Sequence, residues 1–189
     1  VNSTITSGKL ADQKSKLQRG GMAGTTILTS LVLTACGGTV ATKQSEFTLV
    51  DGVYTGTSGA DTLAQSADTA GLFVNGFAGI DTITTGSGAD LVRAGTGADN
   101  VSTGDGDDTI VVVGTTTASE YDSSDIDSSL DKVLTLATLN GQSTSEAASG
   151  ESINAGDGTD TLHLYGTLDM SSVTLTGIET IAMHSDVIF

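Results

Sequence analysis

Aspartate recurs at every ninth position through the middle of this chain, in four nine-residue segments that follow one another without a gap. Carboxylate oxygens are hard ligands, and Ca²⁺ takes about six to eight such oxygens at roughly 2.3–2.6 Å. A softer metal would need His or Cys, which these four segments lack. The spacing therefore points to a row of oxygen-ligand cation sites. The aspartates are Asp81, Asp90, Asp99 and Asp108, in GFAGIDTIT (76–84), TGSGADLVR (85–93), AGTGADNVS (94–102) and TGDGDDTIV (103–111).

Glycines accompany these aspartates at fixed places. The fourth position of each segment is Gly79, Gly88, Gly97 or Gly106, and the second position of the last three is Gly86, Gly95 or Gly104. Two outlying segments, 56–64 and 155–163, add Asp61, Gly156, Gly158 and Asp160. Glycine adopts positive φ without steric cost, so each segment should open with a tight turn whose carbonyls bend inward.

A short strand must follow each turn to hold the aspartate in place. Each of the four segments has one large apolar residue two positions after its Asp, and these residues should stack into a narrow core. Two segments make one coil, so every second turn lies on the same edge, with Asp81 above Asp99 and Asp90 above Asp108. The apolar residues are Ile83, Val92, Val101 and Ile110, with Leu63 and Leu162 in the outlying segments.

These segments resemble the RTX, or haemolysin-type, nonapeptide G-G-x-G-x-D-x-U-x, in which U is a large apolar residue. The first glycine survives only in 56–64 and 76–84, but the fourth-position glycine and the Asp are kept in all six segments. The resemblance implies an all-β parallel β-roll, or β-solenoid, that binds Ca²⁺. It assigns as ligands Asp61, Asp81, Asp90, Asp99, Asp108, Asp160, Gly79, Gly86, Gly88, Gly95, Gly97, Gly104, Gly106, Gly156 and Gly158.

The net charge of −16 bears on both folding and partners. Without the ion, each edge would carry carboxylates spaced by the strand separation of roughly 4.8 Å, so ion binding should couple to folding. Plain β-turns that need no ion are the alternative, but turns alone do not require Asp at one fixed place. The charge disfavours nucleic acid as a partner, since phosphate contacts need clustered Lys and Arg.

The start of the chain has the opposite charge. Four of its seven basic residues precede residue 20, an uncharged run covers 20–35, and the only cysteine, Cys36, follows. This is the pattern of an export signal, and LTACG (33–37) resembles the lipobox of bacterial lipoproteins. The resemblance implies cleavage before Cys36, lipidation of its sulfur and attachment to the outer membrane. The alternative is that Cys36 is an ordinary buried small residue.

The remaining segments divide as follows. We expect an export signal over 1–35, a tether over 36–46, the β-roll over 47–113, an insertion over 114–151, and a second RTX turn with further solenoid over 152–189. The insertion has apolar residues at helical spacing in 123–141, which favours a short amphipathic helix lying on the roll, although a strand is the alternative. Segment 142–151 has the composition of a mobile loop.

Catalytic motifs are missing from the sequence. It has neither H-E-x-x-H nor G-x-S-x-G, and His163 and His184, its only histidines, look like isolated strand-surface residues. We therefore expect a non-enzymatic, calcium-binding, lipid-anchored protein of the cell surface with a structural or adhesive role. The alternative is an accessory or C-terminal fragment of a larger secreted RTX enzyme or S-layer-like protein. Self-association or a surface-matrix partner stays open, as do the number of ions and the export route.

Overall fold

The computed structural model describes residues 45–184 and 187–188. The predicted export signal, Cys36 and nearly all of the predicted tether lie outside these residues, so those expectations stay predictions. Within the described part of the chain, no helix is both long enough and apolar enough to cross a membrane.

Short strands make up most of the described chain. In chain order they are β1 (Ser45–Glu46), β2 (Thr48–Val50), β3 (Val53–Thr55), β4 (Asp61–Ala64), β5 (Phe73–Asn75), β6 (Thr82–Thr84), β7 (Leu91–Arg93), β8 (Asn100–Ser102), β9 (Thr109–Val113), β10 (Ser152–Asn154), β11 (Thr161–Tyr165), β12 (Leu168–Asp169), β13 (Thr174–Thr176), β14 (Thr180–Met183) and β15 (Val187–Ile188). Most are very short, as expected where a single apolar side chain per segment is buried.

Two facing sheets wind into a parallel β-solenoid, as the repeats predicted. The first sheet has the order β1-β4-β6-β8-β10-β13, and the second β14-β11-β9-β7-β5-β3-β2. All neighbours in these sheets pair in parallel except β2 and β3, which form an antiparallel hairpin at one end. Strands β12 and β15 form a separate parallel pair. From β3 to β11 the chain passes from one sheet to the other at every turn, so each sheet receives every second segment.

The register follows the nine-residue repeat. In the first sheet Thr82 pairs with Asn100, and in the second sheet Leu91 pairs with Thr109, so each strand pairs with the equivalent strand two segments later. The strands of the next coil lie beyond the insertion in sequence. Asn100 pairs with Ser152, and Thr109 pairs with Thr161. The solenoid thus continues in register across the insertion.

The core between the sheets is a narrow stack of aliphatic side chains to which both sheets contribute. The apolar residue of each segment points inward, and these residues are at most 1% exposed: Val74, Ile83, Val92, Val101, Ile110, Ile153 and Leu162. Branched aliphatic side chains suit this space because they fill a pleated surface at little cost in rotamer freedom. Such a core contributes less apolar burial than the broad core of a layered domain of this length.

The insertion packs on the outer face of the second sheet, where it forms a second apolar cluster. Side chains of the sheet and of the insertion meet there: Leu91, Val111, Val113 and Tyr165 from the sheet, and Leu130, Val133, Leu134 and Leu139 from the insertion. Outward-facing residues of three strands are thereby removed from water. This cluster explains why the outer face carries apolar residues at these places.

The helix in the insertion is shorter than the helical spacing suggested. The structure has a 3-10 turn at Ser128–Leu130 and one α-helical turn, α1, at Leu136–Leu139. Two local features interrupt a longer helix. The Asp127 side chain accepts from the Ser129 N–H, and Thr135 is extended at φ −134° and ψ 161°, so α1 starts only after it.

A buried ion pair fastens the end of the insertion, which contradicts the expected mobile loop over 142–151. The Arg93 guanidinium donates to Oε1 of Glu146 at 2.9 Å through Nε and at 2.6 Å through a terminal nitrogen. It also donates to the carbonyls of Val133 and Thr138. The other oxygen of Glu146 accepts from the Val113 N–H at 2.8 Å. Both oxygens of the carboxylate therefore have partners, so this segment is ordered against the roll.

Candidate calcium sites

Turns on two opposite edges of the solenoid carry the repeat aspartates. The first edge is the stack of turns that precede Asp61, Asp81 and Asp99. The second edge is the stack of turns that precede Asp90, Asp108 and Asp160. The strand registers set these stacks, because each aspartate lies just before or at the start of its strand. All six aspartates are at most 2% exposed. Six acidic side chains are therefore buried in two columns.

One oxygen of five of these carboxylates is used by a ladder of backbone hydrogen bonds, whereas Oδ2 of Asp61 accepts from the Thr57 N–H in its own turn at 2.6 Å. On the first edge, Oδ1 of Asp99 accepts from the Asp81 N–H at 2.7 Å, and Oδ1 of Asp81 accepts from the Asp61 N–H at 2.9 Å. On the second edge, Oδ1 of Asp108 accepts from the Asp90 N–H at 2.8 Å. The same contact joins Asp160 to the Asp108 N–H and Asp90 to the Leu72 N–H. Each of these aspartates thus holds its coil to the preceding one.

The second oxygen of each carboxylate has no donor. These atoms are buried and lack any hydrogen-bond partner: Oδ1 of Asp61 and Oδ2 of Asp81, Asp90, Asp99, Asp108 and Asp160. A buried polar atom without a partner costs roughly 1–3 kcal/mol, and more if it is charged. A buried carboxylate oxygen without a donor recurs in all six repeats, at Oδ2 in every one except Asp61, so a cation that these oxygens coordinate fits the site.

The turns bring backbone close to backbone, which is why they need glycine. At Gly97 φ is +142°, and a methyl side chain there would overlap the carbonyl oxygen of Gly79 in the preceding coil. Ordinary L-residues avoid this conformation, and the overlap would exclude a side chain in any case. The other turn glycines meet the preceding coil in the same way: Gly79, Gly86, Gly88, Gly95, Gly104, Gly106, Gly156 and Gly158. The predicted ligand glycines therefore line the gaps between stacked turns.

Side chains alone do not complete these sites. In residues 45–184 and 187–188, no three or more His, Cys, Asp or Glu side chains are grouped closely enough to hold a metal ion. A Ca²⁺ ion between two turns would therefore take carboxylate oxygens from the aspartates and the remaining oxygens from turn carbonyls, both of which are hard ligands. The donor set of each gap fits Ca²⁺ in kind.

Burial opposes the charged form of these aspartates. Burial, together with the charges of Asp99 and Asp61, raises the pKa of Asp81 from its ordinary 3.8 to about 7. Burial likewise raises the pKa of Asp99 and of Asp108 to about 6. The pKa values of Asp90 and Asp160 are raised for the same reason. Without a cation, protons compete for the sites near neutral pH.

Two glutamates extend the acidic columns beyond what the sequence analysis found. Glu179 follows Asp160 on the second edge, and its Oε2 accepts from the Asp160 N–H at 2.8 Å. Glu151 follows Asp99 on the first edge, where burial raises its pKa to about 8 and the charges of Asp99 and Glu146 add to the shift. Like the aspartates, each glutamate stands two positions before an apolar residue that pairs with a core residue. Ile153 pairs with Val101, and Ile181 pairs with Leu162. The signal was therefore present in the sequence, with Glu in place of Asp.

The segments 56–64 and 155–163 take the places that stacking requires. Segment 56–64 lies against 76–84 in the first sheet, where Leu63 pairs with Ile83. Segment 155–163 lies against 103–111, with a bridge between Asp105 and Asp157. Each edge therefore has three stacked RTX-type segments. Segment 56–64 belongs to this count although the irregular stretch 65–72 follows it, and so does segment 155–163 although the insertion precedes it.

The comparison with known families agrees with this geometry. Residues 75–110 match the family model for the RTX calcium-binding nonapeptide repeat, in four copies. This part of the chain is an RTX calcium-binding repeat block. RTX nonapeptide repeats bind Ca²⁺, which makes Ca²⁺ the cation for the unpartnered aspartate oxygens. No curated protein and no solved structure matches the chain.

Gly97→Ala should destabilise the RTX repeat block strongly. The methyl group would meet the Gly79 carbonyl and would also require φ near +142°, so we expect a loss of about 3 kcal/mol in unfolding free energy with Ca²⁺ saturating. Denaturant unfolding followed by circular dichroism measures it. Gly59→Ala is the matched control, because its methyl group would approach nothing closer than Thr57 Oγ1 at 3.8 Å. Equal effects in both variants would contradict the close-stacking argument.

Acidic pH should favour the metal-free fold and weaken Ca²⁺ binding. The pKa values of Asp81, Asp99 and Asp108 are about 6 to 7 in the fold against an ordinary 3.8, so the folded chain binds more protons than the unfolded chain. Stability of the metal-free fold is thus greatest at low pH and is lost as pH rises through 6 to 7.

This pH dependence can be measured in two ways. In chelator, the β-sheet circular dichroism signal should grow as pH falls from 7.5 to 5, whereas with Ca²⁺ the titration midpoint should move to higher concentration over the same range. Calorimetry in buffers of different ionisation enthalpy should show proton release on Ca²⁺ binding at pH 6.5. A midpoint that is independent of pH would exclude proton competition at these aspartates.

Proposed function

We propose that this protein is a calcium-dependent structural module of the bacterial cell surface. The observation that carries the proposal is the set of six buried aspartate oxygens without a hydrogen-bond donor, one in each RTX-type segment. Ca²⁺ binding would satisfy these atoms and remove the repulsion along both columns. Folding of the solenoid would then depend on Ca²⁺.

Several observations support a location outside the cytosol. Extracellular Ca²⁺ modules bind at about 10⁻⁴ to 10⁻³ M, a concentration that the cell exterior supplies and the cytosol does not. A chain that folds only above such a concentration would stay extended during export and fold on arrival. The basic leader, the uncharged run and Cys36 agree with export through an N-terminal signal and with lipid attachment.

A structural or adhesive role suits the solenoid better than catalysis. The repeat aspartates are sealed between turns, at most 2% exposed, so a substrate would not reach them. Their chemistry is used to bind one coil to the next. We therefore propose that the protein acts as a spacer or adhesive element, non-enzymatic in itself, anchored through Cys36 and held rigid by Ca²⁺.

A second candidate is a part of a larger secreted RTX enzyme or S-layer-like protein. The observation that favours it is the last coil, in which Ile181 and Met183 pair with the buried Leu162 and Leu164 yet are 41% and 59% exposed. Another coil, or a partner with a similar open end, would cover these side chains. The roll would then be a calcium-stabilised accessory to activity elsewhere.

Calcium-coupled folding is the decisive test. Circular dichroism of the full chain in chelator should show little β-structure at pH 7.5, and Ca²⁺ should restore it cooperatively while Mg²⁺ does not, since Mg²⁺ demands a tighter octahedral geometry. Asp99→Asn removes one buried charge and should raise the Ca²⁺ midpoint on the order of tenfold, because ligand charge tunes affinity. Asp51→Asn, in the exposed β2–β3 hairpin at φ +51°, is the matched control. A chain that is β-rich in chelator at pH 7.5 would refute the proposal.

Lipid attachment is tested separately in a bacterial host. The wild-type chain should enter the membrane fraction and incorporate labelled fatty acid, whereas Cys36→Ser should do neither, because the only thiol is lost. Calcium-dependent folding of the purified Cys36→Ser chain should be unchanged. Membrane attachment that persists in Cys36→Ser would exclude this cysteine as the anchor.

A further inference from the structure

A cleft of about 510 Å³ lies between the insertion and the first edge of the solenoid. Three parts of the chain line it: the turns of the first edge, the outer face of the second sheet at the ends of β5 and β7, and the insertion from α1 to Glu146. None of the six repeat aspartates lines it, so the cleft is separate from their unpartnered oxygens. Its volume lies in the range of small-molecule binding sites.

Phe77, which lines this cleft, departs from the repeat pattern. It occupies the second position of its segment, where 94–102, 103–111 and 155–163 have glycine, and its φ is +71°. The equivalent glycines have φ between +93° and +100°, so this position favours a residue without a Cβ atom. Phe77 is 50% exposed and belongs to neither apolar cluster of the described residues. A strained, exposed aromatic residue indicates a contact with something outside the chain.

Two amide side chains in the cleft are available for hydrogen bonds. Asn75 follows the buried Val74 in β5, so its side chain points away from the core, beside Arg93 in β7. Gln142 lines the cleft from the insertion. Both residues are partly buried, and neither side chain has a hydrogen-bond partner in the described part of the chain. An amide both donates and accepts, so these two side chains suit hydroxyl groups, which also do both.

The cleft has no net charge. Among the described residues that line it, the charged ones are Arg93 and Glu146, which pair with each other at 2.6 Å. Arg93 also donates to two backbone carbonyls, and Glu146 accepts from a backbone N–H. An ionic ligand would therefore find no free counter-charge in the cleft, and the net charge of −16 further disfavours an anion. These observations favour a neutral ligand.

Strand pairing disfavours an extended peptide as that ligand. Strand β5 pairs with β3 and β7, and β7 pairs with β5 and β9, so these strands offer no free edge for a peptide strand to join. A sugar ring has hydroxyl groups for amides and an apolar C–H face for an aromatic ring. We propose that this cleft binds a neutral saccharide, which packs against Phe77 and donates to and accepts from Asn75 and Gln142.

The two turns that form this wall of the cleft are joined by the calcium-binding edge. The Thr96 N–H donates to the Phe77 carbonyl at 2.9 Å, and Oδ1 of Asp99 accepts from the Asp81 N–H within the same pair of turns. The saccharide site therefore rests on the calcium-dependent fold proposed above, and it gives the adhesive role a class of ligand. The saccharide should bind only to the Ca²⁺-loaded chain.

Chemical-shift mapping on the full chain tests the site. The ¹⁵N-labelled protein, kept in excess Ca²⁺, is titrated with neutral oligomers of glucose, galactose and N-acetylglucosamine, each at millimolar concentration. An oligomer of galacturonic acid is the charged comparison. At least one neutral oligomer should shift the side-chain amide signals of Asn75 and Gln142 together, and the charged oligomer should shift neither. Loss of one signal in Asn75→Ala and in Gln142→Ala assigns the two amides.

Phe77→Gly separates ligand contact from a structural role. The change places glycine at a positive φ, so unfolding free energy in Ca²⁺ should be maintained or increased, while affinity for the saccharide should fall on the order of tenfold. Ile80→Ala is the matched control, because Ile80 is 65% exposed in the same turn but does not line the cleft. Denaturant unfolding followed by circular dichroism checks that each variant folds.

Three results would overturn the proposal. One is a folded wild-type chain whose Asn75 and Gln142 signals are shifted by none of the neutral oligomers. Another is saccharide affinity that survives in Phe77→Gly. The third is a wild-type dimer in sedimentation that Phe77→Gly makes monomeric, which would assign the exposed ring to a second copy of the chain. In each case the chain is folded in saturating Ca²⁺, so calcium-dependent folding would stand.

Discussion

A buried carboxylate has two oxygens to satisfy, and this fold provides a backbone donor for only one of them. Along both edges, one oxygen of each repeat aspartate beyond the first coil accepts from a backbone N–H of the preceding coil, and the other accepts nothing. The glycine turns create this state, because they stack so closely that no side chain fits between them. The core is a narrow stack of aliphatic side chains from both sheets, and every buried charge that lacks a partner opposes the stability this core supplies. We therefore propose that Ca²⁺ binding and folding of the solenoid occur together.

The repeat block was predictable because its information is local. A nine-residue period with Gly, Asp and an apolar residue at fixed places determines the turn, the strand and the direction of each side chain. Two segments per coil then determine that Asp81 stacks on Asp99, as the backbone hydrogen bond between them shows. The same frame contained Glu179 in GIETI, where the longer acid replaces Asp. Glu151 was harder to find, since the insertion interrupts the count just before it.

Features that depend on distant residues were not predictable from periodicity. The partner of Arg93 is Glu146, far along the chain in the insertion, and it turned a segment of loop-like composition into an ordered one. The apolar residues at helical spacing in 123–141 pack against Val111, Val113 and Tyr165. They lie in irregular chain with two short helical turns and not in one longer helix. The hydrogen bond between the rings of His163 and His184, which the sequence analysis expected to be isolated, likewise depends on the register of β11 with β14. In each case the pairing is decided by the solenoid surface and not by neighbours in sequence.

The jump in register across the insertion also bears on the order of assembly. Strands β6 with β8 and β7 with β9 pair across a single coil of chain, whereas β8 with β10 and β9 with β11 must close a loop that contains the whole insertion. Loop-closure entropy grows only logarithmically, by about 0.6 kcal/mol for each doubling of length, but it must be spent before distant contacts form. The coils of 53–113 all pair at such short separations, so by this argument we expect them to form before the coils beyond the insertion, which would then pair onto their free edge.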